Sequence, residues 1–351
     1  MTDGLDSVME NPGGWIDGSG QDSDIVLMTQ CKVYRNLADY PYPENCRDGD
    51  KEHIENRVLN VLENISALKP GHYVSFPKQE KEQASILSER GLTSPDLVEI
   101  EGPRGVFFNE DQQIGVSINE RNHVMIQTQV SGFEVNESWS LANGVDDALA
   151  SILDFSFDDR LGYLTHGLRD TGTALRGKII LHLPACVSMR GISALKEHVV
   201  SKRHELKPLY GQNDSAVGDL FVLSNSSTLG QSEDEMLFYL RQLSQEIIDR
   251  ERESQKRLFS TARLRMEDRV ERALGLARHA KILAFDEAIS VLSSLRLGVS
   301  NGLLETITLH QLNDALLNAQ DGHVLMRVGQ PCDEVELGKE RADWFRTRFN
   351  A

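Results

Sequence analysis

The chain has 351 residues, 40% hydrophobic and 26% charged, with a formal net charge of -17 and an isoelectric point near 5.0. That length buries one large core and a second smaller one, so two domains are expected. The acidic excess repels polyanions over most of the surface and excludes nonspecific binding to nucleic acid or anionic membranes.

Residues 1–21 are Gly, Asp and Ser rich and are expected to be mobile. They carry no apolar run of signal-peptide or anchor length, so a cytoplasmic location is expected. The alternation of DIVLMTQCKVY (Asp24 to Tyr34) predicts the first strand. Ile54, Val58, Val61, Leu62 and Ile65 have helical spacing, and a second helix is expected from Glu80 to Arg90. Three short β-branched runs, Gly105 to Asn109, Ile114 to Asn119 and His123 to Val130, read as an antiparallel meander. A helix from Glu134 to Leu153 follows, then a strand in GKIILHLPAC (Gly177 to Cys186), a helix near Ser193 to Ser201 and a strand over Asp219 to Ser226. Ser232 and Glu235 form a capping-box pattern that opens an amphipathic helix. Beyond Arg252 only helical periodicity remains. The class is α+β, with a boundary at residues 251 and 252: residues 22–251 form the first domain and 252–351 a helical second one. Cys31, Cys46, Cys186 and Cys332 lack metal or disulfide spacing and read as reduced thiols, so no metal site is expected. RERESQKR (Arg250 to Arg257) reads as a solvated helix face.

Three segments go beyond generic α+β sequence: DSDIVLMTQCKVYRNL (Asp22 to Leu37), LGYLTHGLRDTGTALRGKIILHLPA (Leu161 to Ala185) and KPLYGQNDSAVGDLFVLSN (Lys207 to Asn225). With INERNHVMIQ (Ile118 to Gln127) and LANGVDD (Leu141 to Asp147), they resemble, in order and spacing, the motifs of the ATP:guanido phosphotransferases. The helical extension resembles the bacterial protein-arginine kinases of the McsB type. The resemblance implies an ATP-dependent kinase using Mg-ATP, a homodimer and a protein partner. Family chemistry needs two carboxylates to orient and deprotonate a guanidinium, a nearby cysteine, and arginines around the transferring phosphoryl group.

Most of these residues differ here. Arg121 stands at the first carboxylate position, Gln212 at the second and Gly167 at the cysteine position. The phosphate arginines are replaced by Gln30, Lys32, Met125 and Lys207, and Arg176 alone is retained. A lysine keeps charge but loses the bidentate fork. The expected nucleotide-binding remnant is Lys32, Arg176, Gly177, Lys178 and Lys207. Arg121 is expected to invert the local electrostatics. The branch's phosphoarginine motif, R-D-x-x-R-A, keeps only Arg341 and Ala342 in Leu337 to Ala342. His123, His166 and Asp170 read as structural or solvated residues before they read as a new acid/base group. The leading expectation is an inactive pseudokinase that acts as a binding or regulatory module. The alternatives are an active phosphotransferase with an altered acceptor, and a regulator that binds ATP without transfer.

Overall fold

The computed structural model describes residue 8 and residues 11–76, 81–212 and 215–350. Its strands are β1 (Val26–Arg35), β2 (Gly71–Ser75), β3 (Gly105–Asn109), β4 (Ile114–Ile118), β5 (Val124–Ser131), the ribbon β6 (Phe157–Asp158) with β7 (Gly162–Tyr163), β8 (Leu175–His182), β9 (His204–Pro208), the ribbon β10 (Gly211–Gln212) with β11 (Ser215–Ala216), and β12 (Leu220–Asn225). Eight of them form one antiparallel sheet in the order β2-β3-β4-β5-β1-β8-β12-β9. The expected meander is β3 to β5. Edge strands β2 and β9, at opposite ends of the sheet, carry too few apolar residues to stand out in the sequence.

The helices are α1 (Asp48–Leu62), α2 (Lys81–Glu89), α3 (Asp96–Glu99), α4 (Val135–Ala150), α5 (Pro184–Ser188), α6 (Ile192–Ser201), α7 (Glu233–His279), α8 (Phe285–Ser300), α9 (Leu309–Asn318), α10 (Asp321–Val328) and α11 (Glu334–Phe349). The Glu80 start expected for α2 lies outside the described residues.

A strand alternates its side chains between two faces, and this alternation positions the site. Cys31, Val33, Ile126, Ile179, Leu181 and Leu223 point to one face and form the main core with α1, α4, α6 and the start of α7. Gln30, Lys32, Tyr34, Gln127, Gln129, Arg176, Lys178 and Ser224 occupy the other. Across the middle strands one face is therefore apolar and the other polar, and the second face turns apolar at Ile180 and Leu220 and again at Val106 and Phe108 of β3.

The capping box at α7 forms as expected: the Glu235 amide donates to Ser232 Oγ at 3.2 Å and the Ser232 amide to Glu235 Oε2 at 2.9 Å. The helix then runs 47 residues, unbroken through the expected boundary at residues 251 and 252, and departs from helical geometry at Ala262 (φ -140°, ψ 31°). Val270, Leu274, Leu292, Leu295, Leu312 and Phe345 of α7 to α11 make a second core that also takes in Ile180 and Leu220 of the sheet. The helical unit thus closes one end of the polar face. Arg269 of α7 donates to Asp219 at 2.9 Å beside that contact.

The mobility expected for residues 1–21 divides. Residues 1–7, 9 and 10 lie outside the described residues. Downstream, Trp15 and Ile16 are buried against Leu317 of α9, and Asn313 donates to the Ile16 carbonyl at 3.1 Å. A Cβ on Gly20 would lie 1.8 Å from the Ser131 carbonyl oxygen, so the backbone there lies directly on β5. Two apolar residues anchor a stretch whose average composition is that of a loop. Among the described residues, no helix is long and apolar enough to cross a membrane.

Candidate active site

The polar face has a closed half and an open half. Over β5 and β4 the segment Arg90–Thr93 lies on the sheet as a strap. Gln129 Nε2 donates to the Arg90 carbonyl at 2.9 Å, Gln127 Nε2 donates to the Gly91 carbonyl, and Thr93 and Ser117 share a hydroxyl hydrogen bond of 2.7 Å. Gly91 has φ +73°, and a Cβ there would meet Gln129 Oε1 at 2.3 Å. The strap is held from the helical unit. The Glu89 carboxylate accepts from the amides of Gly322 and His323 and from His323 Nδ1 at the start of α10, while Arg90 Nε donates to His323 Nε2 at 3.2 Å. Gln30, whose Nε2 would lie 3.3 Å from a Cβ on Gly91, is 7% exposed, and Met125, the cross-strand partner of Ser117, is 1% exposed. Two positions where the family pattern places arginines are thus covered by the chain itself, and the strap's carbonyls are met by neutral glutamine amides.

Gly115 makes this contact possible, because its Cβ would lie 2.2 Å from the Leu92 carbonyl oxygen. Gly115→Ala is expected to lift the strap, costing about 1–3 kcal/mol. Hydrogen exchange at Arg90–Thr93 checks it; unchanged protection there would contradict the packing.

The open half is a cavity of about 670 Å³ lined by Tyr34, Gly167, Arg169, Asp170, Arg176, Lys178, Glu205 and Lys207, among others. Its cations are partly neutralised from within. Arg176 Nε donates to Asp170, and Arg169 and Lys207 both donate to Glu205. Burial would raise the Glu205 carboxyl, but the hydrogen bonds from Lys207 and Arg169 outweigh it and hold it below its ordinary value. Lys178 makes no hydrogen bond or ion pair among the described residues, and burial, then Arg176, lower its pKa.

A second cavity, of about 460 Å³, adjoins through His166 and Gly167. It is lined by Glu44, Asp96, Glu99, Glu101 and Glu120 together with Lys51, Arg121 and His166. Arg121 turns outward to Asp96 at 2.8 Å and is 56% exposed. The expectation that Arg121 inverts the local field is therefore corrected, because five carboxylates outnumber the bases on that wall. Glu120, passed over in the sequence, is the buried group there. It is 5% exposed, accepts from Ser94 Oγ through one oxygen, and leaves Oε2 without a partner. Burial raises its pKa and lowers that of Lys32, which lies between the two cavities and lines neither.

Of the expected remnant, Arg176, Lys178 and Lys207 come together, and two residues depart from it. Lys32 is 5% exposed, shut in by the strands beside it. Gly177 faces the other way: its amide is taken by Asn225 Oδ1 at 2.9 Å, and a Cβ would strike Leu240 Cδ2 at 2.4 Å, so it serves core packing. Gly167 faces open space apart from Asp170 Oδ2 at 3.3 Å from a Cβ, and Gln212 is exposed on the β10–β11 ribbon. Arg341 is 2% exposed, and its guanidinium is spent internally on the Ala319 and Leu283 carbonyls and Asp321. His123 accepts the Leu37 amide at Nδ1 (3.0 Å), leaving Nε2–H for the Pro41 carbonyl (2.9 Å). Burial lowers its pKa to about 4, so it is a neutral structural residue.

Residues 53–254 match the family described as ATP:guanido phosphotransferase, C-terminal catalytic domain, and residues 263–351 match the protein-arginine kinase McsB C-terminal domain. The chain belongs to the ATP:guanido phosphotransferase family. The protein-arginine kinase of Brevibacillus brevis is 32% identical over 345 residues, covering 97% of this chain and 96% of that protein. That of Symbiobacterium thermophilum is 33% identical over 346 residues, with 96% of each covered. Among solved structures, lombricine kinase aligns with a TM-score of 0.57 at 21% identity over 69% of this chain and 71% of that one. The duplicated taurocyamine kinase of Schistosoma mansoni aligns at 0.61 and 19% identity over 76% and 40%. These structural likenesses bear on fold alone. The kink at Ala262 falls between the two matched stretches, and the McsB-type C-terminal match begins at the next residue, where the long helix bends.

ATP is the family's phosphoryl donor. Gln30 and Met125, at two of the arginine positions, are buried, and two of the remaining cations are bound to the chain's own carboxylates.

Proposed function

We propose that this chain is a non-catalytic member of its family, a pseudokinase that acts in the cytoplasm as a binding or regulatory module, as a homodimer and through a protein partner. The observation that carries this is the pairing of Arg176 with Asp170 and of Lys207 with Glu205 inside the cavity where a phosphoryl group would sit. A transferring phosphoryl needs unspent donors aimed at its equatorial oxygens, and each donor removed costs roughly 10² to 10³ in rate. No carboxylate stands at either family position to take the guanidinium proton, because those positions hold Arg121 and Gln212.

The test is incubation of the purified chain with radiolabelled Mg-ATP and an arginine-rich protein, read as acid-labile phosphoarginine. The expected result is no label above that of Arg176→Ala. Label that disappears in Arg176→Ala would sink the reading. Light scattering on the same sample is expected to give twice the chain mass, and a monomer would remove the homodimer.

A second reading, an ATP-dependent phosphotransferase with an altered acceptor, is favoured by one observation. Glu120 keeps an unpartnered carboxylate oxygen at an open acidic cavity beside the cation cluster, where a basic acceptor would be received. Glu120→Gln separates the two, since only the second reading gives it a turnover to lose.

A further inference from the structure

We propose that the 670 Å³ cavity is a covalent capture site for small anionic carbonyl compounds, aldehydes or ketones carrying a phosphate or carboxylate, with Lys178 as the imine-forming amine. The inference rests on the reading that this cavity no longer serves phosphoryl transfer.

An amine adds to a carbonyl only when it is neutral, and proteins reach that state by desolvating a lysine and placing another cation next to it. Lys178 meets both conditions. It lies on β8 between Gln30 of β1 and Ser224 of β12, neither of which is charged. Arg176 is two residues away on the same face, and Lys32 of β1 is the cross-strand partner of Arg176. Burial, then Arg176, lower the Lys178 pKa. Asp170 and Glu120 act in the opposite sense, and Asp170 is already committed to Arg176. The amine is unpartnered among the described residues and opens onto the cavity.

The same cavity holds the means to fix an anion. Its lining has four cations, Arg169, Arg176, Lys178 and Lys207, against the carboxylates Asp170 and Glu205. Once the Lys178 amine is committed to the imine, the three other cations face two carboxylates and a net positive charge remains for a phosphate or carboxylate. Tyr34, whose phenol burial keeps protonated, lines the cavity as well. In the reaction the Nζ lone pair forms a bond to the carbonyl carbon, both Nζ protons pass to the carbonyl oxygen, and that oxygen leaves as water. No oxidant or reductant is consumed, and hydrolysis reverses the step.

The experiment uses the full chain with pyridoxal 5′-phosphate as probe, borohydride trapping and peptide mapping. Lys178 is expected to be the principal labelled lysine, ahead of Lys207 of the same cavity, because its amine is desolvated, stands beside Arg176 and has no partner among the described residues, whereas Lys207 Nζ is bound to Glu205. Inorganic phosphate is expected to protect Lys178, and Lys178→Arg to abolish the label. Label spread over exposed lysines, label favouring Lys207, or label indifferent to phosphate would each overturn the proposal. The map of the unsubstituted chain decides even if Lys178→Arg folds poorly. Phosphoarginine formation in the assay above, with Lys178 unlabelled, would instead remove the reading on which the inference rests.

Discussion

The double substitution Asp170→Asn and Glu205→Gln is expected to raise the affinity of the open cavity for Mg-ADP by roughly 10²-fold, about 2.7 kcal/mol. Each carboxylate now occupies a cation that a phosphate would otherwise use: Asp170 holds Arg176, and Glu205 holds both Lys207 and Arg169. Both substitutions keep side-chain volume and remove only charge, so the strand and loop that carry them are preserved. Isothermal titration at fixed ionic strength checks the change, with single substitutions giving about tenfold each. An unchanged affinity would mean that the missing donors at Gln30 and Met125, and not the internal carboxylates, limit nucleotide affinity. Glu205 also gives the pH dependence its sign. Its carboxyl is held below the ordinary value, so the stability from its two ion pairs is fully present above that value. It is lost as pH falls through the lowered one, and anion binding is expected to strengthen over that window.

Arg35→Ala is expected to destabilise the chain by about 3–5 kcal/mol, the cost of breaking a buried pair from one side. Arg35, at the end of β1, is 1% exposed; it donates to Asp146 of α4 at 2.5 Å and to the Tyr34 carbonyl at 2.9 Å, and stacks 3.4 Å from the Tyr163 ring centroid. It joins the sheet, α4 and the β6–β7 ribbon, so its loss leaves Asp146 charged in an apolar layer. Burial already raises the Asp146 carboxyl despite Arg35, and without the guanidinium it rises further. The sign follows: the extra penalty is full at neutral pH and shrinks as pH falls into the ordinary carboxylate range and Asp146 protonates in the unfolded chain too. Denaturant unfolding of wild type and variant at neutral and acid pH measures both. An equal loss at the two pH values would show that packing, and not charge, sets the cost.

Arg35 also shows what a single sequence conceals. In DIVLMTQCKVYRNL it stands as one more polar residue of an alternating strand, and nothing nearby marks Asp146, more than a hundred residues away, as its partner. The alternation itself was legible, since period two over Val26–Arg35 separates Cys31 and Val33 from Gln30 and Lys32, and β1 divides its residues in that way. The capping box at Ser232 was equally local, and it forms. Elements fixed by spacing and by hydrogen bonds within four residues are legible in the sequence for that reason.

The α+β class, the meander, the long C-terminal helices, the family and the substituted positions are all legible along the chain, because each is a matter of spacing or residue identity. What surrounds the substituted positions came only with tertiary packing. That packing closed half of the polar face with a strap from Arg90–Thr93 and set Asp170 and Glu205 on the remaining cations. It also turned Arg121 out to Asp96 and left Glu120 buried at an acidic cavity. Charge interactions and burial depend on distance in space, and residues far apart in sequence meet only after the sheet, the strap and the helical unit have packed.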